Sequence, residues 1–282
     1  DIGPGQRTTF AMIAAEVLGI ELSQITVTKS DTETTSDTGI IAGSRGTKSV
    51  GSAVQAAAKD AREQLLLGAS RRLEVSPNDL EIEKGVIFVV SDPNKKMTIT
   101  DAVAAGVVVV DSQVFPSGAP IIGRGVVPAP SGYAQKTFGA GFYEVETDPG
   151  TGAVRVLRVV QAHDVGKAIN PLAVENQIYG GAMQGMGKAL TEELIYDPST
   201  GIIVNPNLDD YKLHMIETMP EIQPIIVEPI DVLGPFGAKG IGEPANLPAC
   251  PAIANAIADA VGVRMTQLPM TPYRVMKALR SV

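Results

Sequence analysis

The 282-residue sequence is poor in residues that hold metals, clusters and crosslinks. It has one cysteine, Cys250, two histidines, His163 and His214, and no tryptophan. A single thiol excludes a disulfide within the chain and a cluster or zinc site built on several cysteines. Since the two histidines cannot form a helical pair, a zinc site ligated by the protein is not predicted. We interpret Cys250 as a buried, unreactive thiol and His163 as a strand-end residue beside Asp164.

Long hydrophobic runs and an excess of basic residues are also missing. No segment approaches the roughly 18 apolar residues that a membrane span needs, so no membrane partner is expected. The formal net charge of −8 argues against a nucleic-acid surface, which recruits clustered Lys and Arg. Hydrophobic residues make up 44% of the sequence, as is ordinary for a soluble enzyme. No signal peptide is visible, and a cytoplasmic location is expected.

The patterns of the chain predict an α+β fold with two lobes of mixed sheets and packed helices. Apolar spacing over residues 10–18 predicts a helix that Gly19 ends, and residues 50–67 predict a long buried helix. Alternation predicts a strand at residues 25–28, and residues 30–39 form a polar loop. The proline-bearing stretch 112–135 is the expected boundary, which gives lobes 1–135 and 136–282. Its prolines are Pro116, Pro120, Pro128 and Pro130.

Asp-Pro turns predict three pairs of strands. Residues 86–90 and 97–99 flank a turn at 92–94, and residues 141–147 and 154–161 flank a turn at 148–152. A third pair is predicted around 197–201. A helix is then predicted from Pro171 to Glu193, although its many glycines weaken it by about 1 kcal/mol each.

The glycines of that helix leave two interpretations open. Close approach of another backbone or of a flat cofactor would explain them, and the Gln184 amide could then hydrogen-bond the cofactor. Tight helix packing within the chain is the alternative. The glycines are Gly180, Gly181, Gly185 and Gly187.

Ser44 begins a predicted helix, where free N–H groups and the helix dipole suit a phosphate. A simple serine cap is the bland alternative. A third interpretation is a serine hydrolase, because residues 42–46, Ala-Gly-Ser-Arg-Gly, approximate a Gly-x-Ser-x-Gly elbow around Ser44, with Asp164 and His214 following in order. The polar residues before Ser44 do not suit the strand that such an elbow needs.

Glu243 is the candidate general base. It ends the glycine-rich run Gly-Ala-Lys-Gly-Ile-Gly-Glu-Pro at residues 237–244, and Pro244 is expected to hold it extended. Burial beside Ile241, Pro244 and Leu247 could raise its pKa toward neutrality. A solvated surface turn is the alternative.

The run at residues 237–244 resembles the catalytic-glutamate segment of the molybdenum hydroxylases, the xanthine dehydrogenase and aldehyde oxidoreductase family. A helix beginning near Pro251 and a Leu-Pro-Met-Thr-Pro tail at residues 268–272 follow it, as in that family. The opening residues 1–8, the segment 42–46 and the glycine-rich segment 180–187 fit the same family. The resemblance spans essentially the whole chain and implies that it corresponds to the C-terminal portion of the large, molybdopterin-binding subunit.

The resemblance implies a molybdopterin cofactor in its cytosine dinucleotide form, with molybdenum held by the pterin dithiolene rather than by the protein. Glu243 is the implied catalytic base. The implied cofactor contacts are Gly3, Gly43, Ser44, Gly46, Gln184 and Gly242. The opening motif departs from the family, because Pro4 stands where many members have Gln. Since proline has neither an N–H group nor a side-chain amide, one expected hydrogen bond to the pterin is lost or is supplied elsewhere, for example by Gln6.

The implied activity is oxidative hydroxylation of an electron-poor carbon with water as oxygen source. The carbon belongs to an aldehyde, a purine or other N-heterocycle, or an aromatic thioester. Electrons would pass to 2Fe-2S clusters and FAD on partner subunits or domains. The upstream large-subunit portion, or a separate molybdopterin subunit, is a further expected partner within an oligomer, so that the chain is either an excised part or a small subunit. A non-catalytic scaffold that binds cofactor or subunits remains the second interpretation.

Overall fold

The computed structural model describes residues 2–104, 108–110, 113–115, 120–127 and 132–281. The chain divides into two compact units, unit 1 (Asp1–Ala134 with Asp231–Ala238) and unit 2 (Gln135–Ile230 with Lys239–Val282). The assignment of residues 1–135 and 136–282 as two cofactor-binding lobes stays a prediction. Of the loop predicted between them, Pro116, Pro128 and Pro130 lie outside the described residues.

Unit 1 begins with helix α1 (Gln6–Leu18), which Gly19 ends in the left-handed conformation at φ 65°. This confirms the predicted helix and its stop. A side chain at residue 19 would overlap the backbone of Ile82, so both the cap and the packing require glycine. The strand predicted at residues 25–28 is wrong, because this segment has no regular structure. Alternation favours an extended chain, but a strand also needs a partner, and no described strand pairs with it.

The long helix predicted over residues 50–67 is confirmed and extends further at both ends. A π-helical turn (Gly46–Val50) leads directly into helix α2 (Gly51–Leu73). Residues 30–39, which precede it, form the predicted loop of turns and irregular backbone. The wide π turn means that the helix begins less regularly than the sequence indicated, and such turns are frequent at functional sites.

The main sheet of unit 1 contains three antiparallel strands in the order β1 (Leu80–Glu83), β2 (Val86–Val89) and β3 (Asp92–Thr98). The predicted β2–β3 pair is confirmed, but its turn is at residues 90–91, since Val89 pairs with Asp92. The Asp-Pro-Asn sequence lies inside β3 instead. Because β3 is an edge strand, it tolerates a proline that cannot donate to a neighbour.

A short helix and a second small sheet complete unit 1. They are α3 (Ile99–Ala104), β4 (Val108–Val110) and β5 (Gln113–Phe115), and the last two pair antiparallel. The core of the unit lies between α2, the main sheet and α3. Its buried side chains are Leu65, Ala69, Leu80, Ile82, Ile87, Val89 and Ala102.

The sheet of unit 2 mixes both strand directions. Strands β6 (Gly139–Thr147) and β7 (Val154–Asp164) form the predicted antiparallel hairpin, and β8 (Glu221–Val227) joins β7 in parallel. In the hairpin turn, Asp148 Oδ1 accepts a hydrogen bond from the Gly150 amide at 2.8 Å. This aspartate-led turn sets the register of the two strands.

The third predicted pair of strands is reduced to one isolated bridge, between Tyr196 and Ile203. The turn itself forms, and hydrogen bonds from Ser199 and Thr200 lower the pKa of Asp197 to about 2. The flanking residues are largely apolar but exposed, as at Leu194, Tyr196 and Ile202, so the pair has no core to pack against among the described residues and is not extended into a ladder.

Three helices pack on the sheet of unit 2. Helix α4 (Pro171–Leu190) begins at the predicted proline and ends before Glu193, because Gly187 O accepts from the Thr191 and Glu192 amides in a closing turn. Helix α5 (Ala249–Val261) follows a 3-10 turn (Pro244–Asn246). Helix α6 (Pro272–Leu279) follows the Leu-Pro-Met-Thr-Pro tail. The buried core side chains of α4, α5 and α6 include Ala182, Met186, Ala189, Leu190, Ile253, Ile257 and Val275.

The arrangement confirms the predicted α+β class, with small sheets and packed helices in each unit. Only the unit 2 sheet combines parallel and antiparallel pairing within the described ranges. No helix among the residues that the structure describes has both the length and the apolar content needed to cross a bilayer.

Adjacent glycines on α4 give a matched test of helix packing. A β-carbon at residue 181 would lie 2.5 Å from the Ala245 β-carbon, whereas one at residue 180 would meet nothing within 4 Å. We expect Gly181→Ala to lower the free energy of unfolding by about 1–3 kcal/mol, because the contact must open. Gly180→Ala should raise it by up to about 1 kcal/mol, since alanine favours a helix. Urea unfolding of the purified chain measures both, and equal stability of the two variants would contradict this account.

Candidate cofactor site

In unit 1, the opening segment and the Gly43–Gly46 segment contact each other through Gln6. Gly46 is buried, and a β-carbon on it would overlap the side-chain amide of Gln6. Gln6 is itself only 8% exposed. Pro4 lacks the hydrogen bond expected at its position, and the proposal that Gln6 supplies it stays a prediction. In the structure the side-chain amide of Gln6 packs against Gly46, which the sequence did not indicate. Gly3 is exposed, with φ 116° and open space around its α-carbon.

Gly43 and Ser44 form a left-handed pair that Arg45 separates from the π turn. Their φ angles are 65° and 55°. A serine in this conformation costs about 1–2 kcal/mol, and strained backbone of this kind clusters at ligand sites. Gly43 is exposed and Ser44 is half-buried. The pair therefore precedes the first N–H groups of a helical segment, which are donors suited to a phosphate.

In unit 2, helix α4 packs its glycines against the segment that follows Glu243. Gly181 lies against Ala245, and a β-carbon at residue 185 would lie 2.8 Å from Asn246 O and overlap the side chain of Ala249. Gly187 faces only the end of the flexible Glu192 side chain, which can move aside. Tight packing within the chain thus accounts for Gly181 and Gly185. Gly180 differs, because it is exposed with open space beside it.

This packing brings Gln184 and the turn of Glu243 together. The exposed Gln184 accepts, at Oε1, a hydrogen bond from Asn246 Nδ2 at 3.2 Å, and Lys188 Nζ donates to Asn246 Oδ1 at 3.0 Å. The amide of Asn246 donates to Glu243 O at 3.1 Å. Asn246 therefore links the candidate cofactor contact to the candidate base. Nothing in the sequence pattern marked Asn246, although it lies three residues after Glu243.

Glu243 is exposed and does not have the conformation that the sequence predicted. Its φ of −86° and ψ of −33° are helical rather than extended, since Pro244 occupies the first position of the 3-10 turn. A proline there disfavours the helical region for its predecessor but suits the start of a helical turn, and the second effect dominates here. Ile241 is buried as expected, whereas Leu247 is 72% exposed and does not shield the carboxylate.

A buried ion pair lies in the glycine-rich run itself. Lys239 Nζ donates to Asp164 Oδ2 at 2.6 Å, and both side chains are nearly inaccessible. No role for Lys239 was evident from the sequence. A lysine within a glycine-rich run is not by itself a signal, because its partner Asp164 lies at the end of a distant strand.

A buried chain of hydrogen-bonded polar side chains on β6 and β7 was not predicted from the sequence. Gln161 Nε2 donates to the Tyr143 hydroxyl at 2.6 Å, and Gln161 Oε1 lies 2.8 Å from His163 Nε2. Burial raises the pKa of Tyr143 to about 12 and lowers the pKa of His163. Glutamine and histidine two residues apart point to the same face of a strand, which was the available signal. His163 lies at the end of β7 beside Asp164, as predicted.

The side chains of unit 2 do not support a hydrolase triad. The Asp164 carboxylate binds Lys239 and the Gly166 amide, while His214 Nδ1 lies 3.1 Å from Thr218 Oγ1. No strand precedes Ser44 among the described residues, so the elbow geometry is also missing. In the part of the chain that the structure describes, no group of three His, Cys, Asp or Glu side chains could hold a metal ion.

Cys250 is less buried than predicted. Its side chain is half-buried, Sγ lies 3.7 Å from Gly185 O, and burial raises the pKa of the thiol. A raised pKa lowers the thiolate fraction near neutral pH, in line with the predicted unreactive thiol.

The profile of the molybdopterin cofactor-binding domain matches residues 1–220. The chain belongs to this family. The match agrees with the predicted resemblance to molybdenum hydroxylases.

Two curated relatives extend the molybdopterin-domain match across the whole chain. The xanthine dehydrogenase molybdenum-binding subunit of Escherichia coli O157:H7 is 33% identical over 281 residues, covering 98% of this chain and 36% of the relative. The nicotine 6-hydroxylase large subunit of Paenarthrobacter nicotinovorans is 33% identical over 284 residues, covering 99% and 34%. The chain thus spans about a third of the length of these relatives.

Solved structures show the same fold as this molybdopterin domain. Quinoline 2-oxidoreductase from Pseudomonas putida 86 is similar with a TM-score of 0.86 and 32% identity, covering 99% of this chain and 36% of that chain. Reconstituted CO dehydrogenase from Oligotropha carboxidovorans gives a TM-score of 0.86 at 27% identity, covering 100% and 35%.

Burial of His163 makes the stability of the domain depend on pH. Since its pKa is lowered from the usual 6.5, the unfolded chain takes up the proton at a higher pH than the folded chain. The contribution of His163 to the free energy of unfolding is therefore fully present above pH 6.5. It is lost as the pH drops below this value, by at most about 1.4 kcal/mol per pH unit. We expect His163→Gln to show a shallower loss between about pH 7 and 5, measured by urea unfolding at each pH.

His214 provides the comparison for this measurement. Burial lowers its pKa as well, so His214→Gln should also flatten the profile, and the double variant should be flatter than either single variant. A His163→Gln profile with the slope of the unsubstituted chain would show that His163 does not contribute.

Proposed function

We propose that this chain is the cofactor-binding region of a molybdenum hydroxylase large subunit. The enzyme oxidatively hydroxylates an electron-poor carbon, and Glu243 is its general base. The observation that carries the proposal is the position of Glu243, exposed on a turn that α4 fixes beside Gln184. An exposed carboxylate on a fixed backbone can meet a bound ligand, whereas a carboxylate turned into the core cannot.

The residues of each unit suit the proposed cofactor. Unit 1 supplies the Gly3 segment, the Gly43–Ser44 turn and the N–H groups of the helical segment near Gly46, which are donors for a phosphate and for pterin oxygens. Unit 2 supplies the amide of Gln184 and the exposed backbone of Gly242. None of these residues is a His, Cys, Asp or Glu that would ligate a metal, which suits an organic ligand that carries its own metal. We propose Gly3, Gly43, Ser44, Gly46, Gln184 and Gly242 as the cofactor contacts.

The chemistry is divided between cofactor and protein. The molybdenum cofactor, when bound, supplies the two-electron acceptor. In the overall reaction a C–H bond and water become a C–OH group with release of two protons and two electrons. Glu243 accepts one of these protons at a carboxylate oxygen, while Gln184 orients the ligand beside it. Proton acceptance by a positioned carboxylate is typically worth about 10²- to 10⁴-fold in rate.

The names of the relatives support the proposed class of substrate. Quinoline and nicotine are N-heterocycles, and xanthine is a purine, so three similar proteins are named for electron-poor ring systems. Another relative is named an aldehyde oxidoreductase molybdenum-binding subunit. We therefore propose an aldehyde, a purine or other N-heterocycle, or an aromatic thioester as the substrate class.

The remaining assignments are proposals of the same kind. The cofactor is proposed in its cytosine dinucleotide form, with electrons leaving through 2Fe-2S clusters to FAD on partner subunits. The upstream portion of the large subunit would act with this chain in a cytoplasmic oligomer. Several relatives are named as subunits, including a 6-hydroxypseudooxynicotine dehydrogenase complex subunit, which supports an assembly of several chains.

A scaffold that binds cofactor without chemistry is the second candidate. It is favoured by the exposure of Glu243 in this chain, because a neutral-pH base is commonly shielded from water. The two candidates differ in a single test, since the carboxylate is dispensable only in the scaffold.

We expect Glu243→Gln in the complete complex to lose activity while it keeps its cofactor. The amide has the size of the carboxylate but cannot accept the proton, so kcat should fall by about a hundredfold or more. Molybdenum content and the nucleotide released on denaturation should match those of the unsubstituted complex. Turnover with an N-heterocycle or aldehyde and elemental analysis measure both quantities.

Glu217→Gln is the matched control, because Glu217 is also exposed within a short 3-10 turn of unit 2. It should leave kcat and molybdenum content unchanged. Full activity of Glu243→Gln would favour the scaffold, and a complex without molybdenum would contradict the proposed function as a whole.

A further inference from the structure

The ion pair beneath the Glu243 segment has no role in the chemistry proposed above. Lys239 Nζ and Asp164 Oδ2 are 2.6 Å apart, and the two side chains are 9% and 12% exposed. Lysine is rarely buried to this extent unless it is paired. A buried pair adds little net stability, because the loss of hydration offsets much of the attraction. Its place in the structure is therefore more informative than its strength.

The acceptor of the pair is fixed to the sheet of unit 2. Asp164 is the last residue of β7, and its amide donates to Phe138 O at 2.9 Å. Its second carboxylate oxygen, Oδ1, accepts from the Gly166 amide at 3.2 Å. Asp164 thus presents Oδ2 from a position that the backbone determines.

The donor of the pair is fixed along the same edge of the sheet. The Lys239 amide donates to Val165 O at 2.8 Å, and Nζ donates also to Lys136 O at 3.1 Å. The next residue is held as well, because Gly240 O accepts from Thr137 Oγ1 at 3.3 Å. The ion pair is thus the charged part of a contact that attaches the glycine-rich run to the end of β7.

Glu243 lies between this attachment and a second one. On one side, Lys239 and the buried Ile241 hold the chain at the sheet, and on the other side Ala245 packs against Gly181 of α4. Gly240 and Gly242, between these contacts, allow a wide range of backbone conformations. Without the ion pair, only the Lys239 and Gly240 backbone hydrogen bonds and the buried Ile241 would hold the run at the sheet, so the two glycines would give the Glu243 backbone more freedom to shift. A displacement of about 1 Å can reduce a rate by 10²-fold.

We propose that Lys239 is a positioning residue that acts through Glu243. Its ion pair with Asp164 fixes residues 240–243 at the end of β7, so that the Glu243 carboxylate reaches the reacting centre. This inference rests on the proposed role of Glu243 as the base. Lys239 itself needs no contact with substrate or cofactor.

The test compares Lys239→Met with Lys167→Met in the complete molybdenum-containing complex. Lys167 pairs with Glu228 at 3.1 Å in the same unit, but the two side chains are 56% and 42% exposed. We expect Lys239→Met to lower kcat by about 10- to 100-fold, while KM and molybdenum content stay within about twofold of the parent. Lys167→Met should change none of these values. Lys239→Arg, which keeps the charge, should recover part of the lost kcat.

A double variant separates positioning from structural support. If Lys239 acts only through Glu243, adding Lys239→Met to Glu243→Gln lowers kcat no further. A merely structural role would multiply the two losses and reduce molybdenum content in parallel with kcat. Multiplied losses of kcat, a parallel loss of molybdenum, or a kcat of Lys239→Met equal to that of Lys167→Met overturns the inference.

Two further outcomes have definite meanings. Full activity of Glu243→Gln refutes the proposed base whatever Lys239 does, so the two failures are distinguishable. Where Lys239→Met does not accumulate, Asp164→Asn removes the same ion pair with an isosteric side chain and should give the same loss of kcat with molybdenum retained. Failure of both variants to fold assigns the pair to folding and overturns the positioning role.

Discussion

The close packing of the Glu243 turn against helix α4 depends on two missing side chains on that helix. Because Gly181 and Gly185 have no β-carbon, the helix meets Ala245, Asn246 and Ala249 at van der Waals distance. This contact fixes the position of the 3-10 turn (Pro244–Asn246) and therefore the place of Glu243, the residue directly before it. Asn246 then bridges the turn to Gln184. A helix that the propensities of its residues disfavour is thus stabilised by the partner that its glycines admit.

Features governed by neighbouring residues could be predicted from the sequence. The apolar spacing before Gly19 gave helix α1, and the Asp-Pro-Gly-Thr-Gly turn gave the β6–β7 hairpin, because caps and turns depend on residues within a few positions. The glycine-rich run with Glu243 was likewise identified by its local pattern. The family match to residues 1–220 covers the opening segment and agrees with the resemblance that it indicated, but it ends before the run that carries Glu243.

Features that depend on distant partners could not be predicted. Residues 25–28 alternate as a strand would, yet no described strand pairs with them. The backbone of Glu243 follows the turn that docks on α4 rather than the preference of a residue before proline. Lys239 and Asp164 are 75 residues apart, and no local pattern links them. The roles of the site residues depend in turn on a ligand that several separate segments would contact together, and no single motif describes such a set.

The two strand pairs of unit 2 connect segments that lie at very different distances along the chain. The turn at Asp148 joins β6 and β7 across a few residues, so the entropy of closing this loop is small. Strand β8 pairs with β7 only after residues 165–220, including α4, have been placed, and such long-range parallel pairing is slow. During synthesis the hairpin can therefore form while β8 is still inside the ribosome. The nascent chain then exposes an unpaired edge of β7, a surface open to wrong strand partners until β8 covers it.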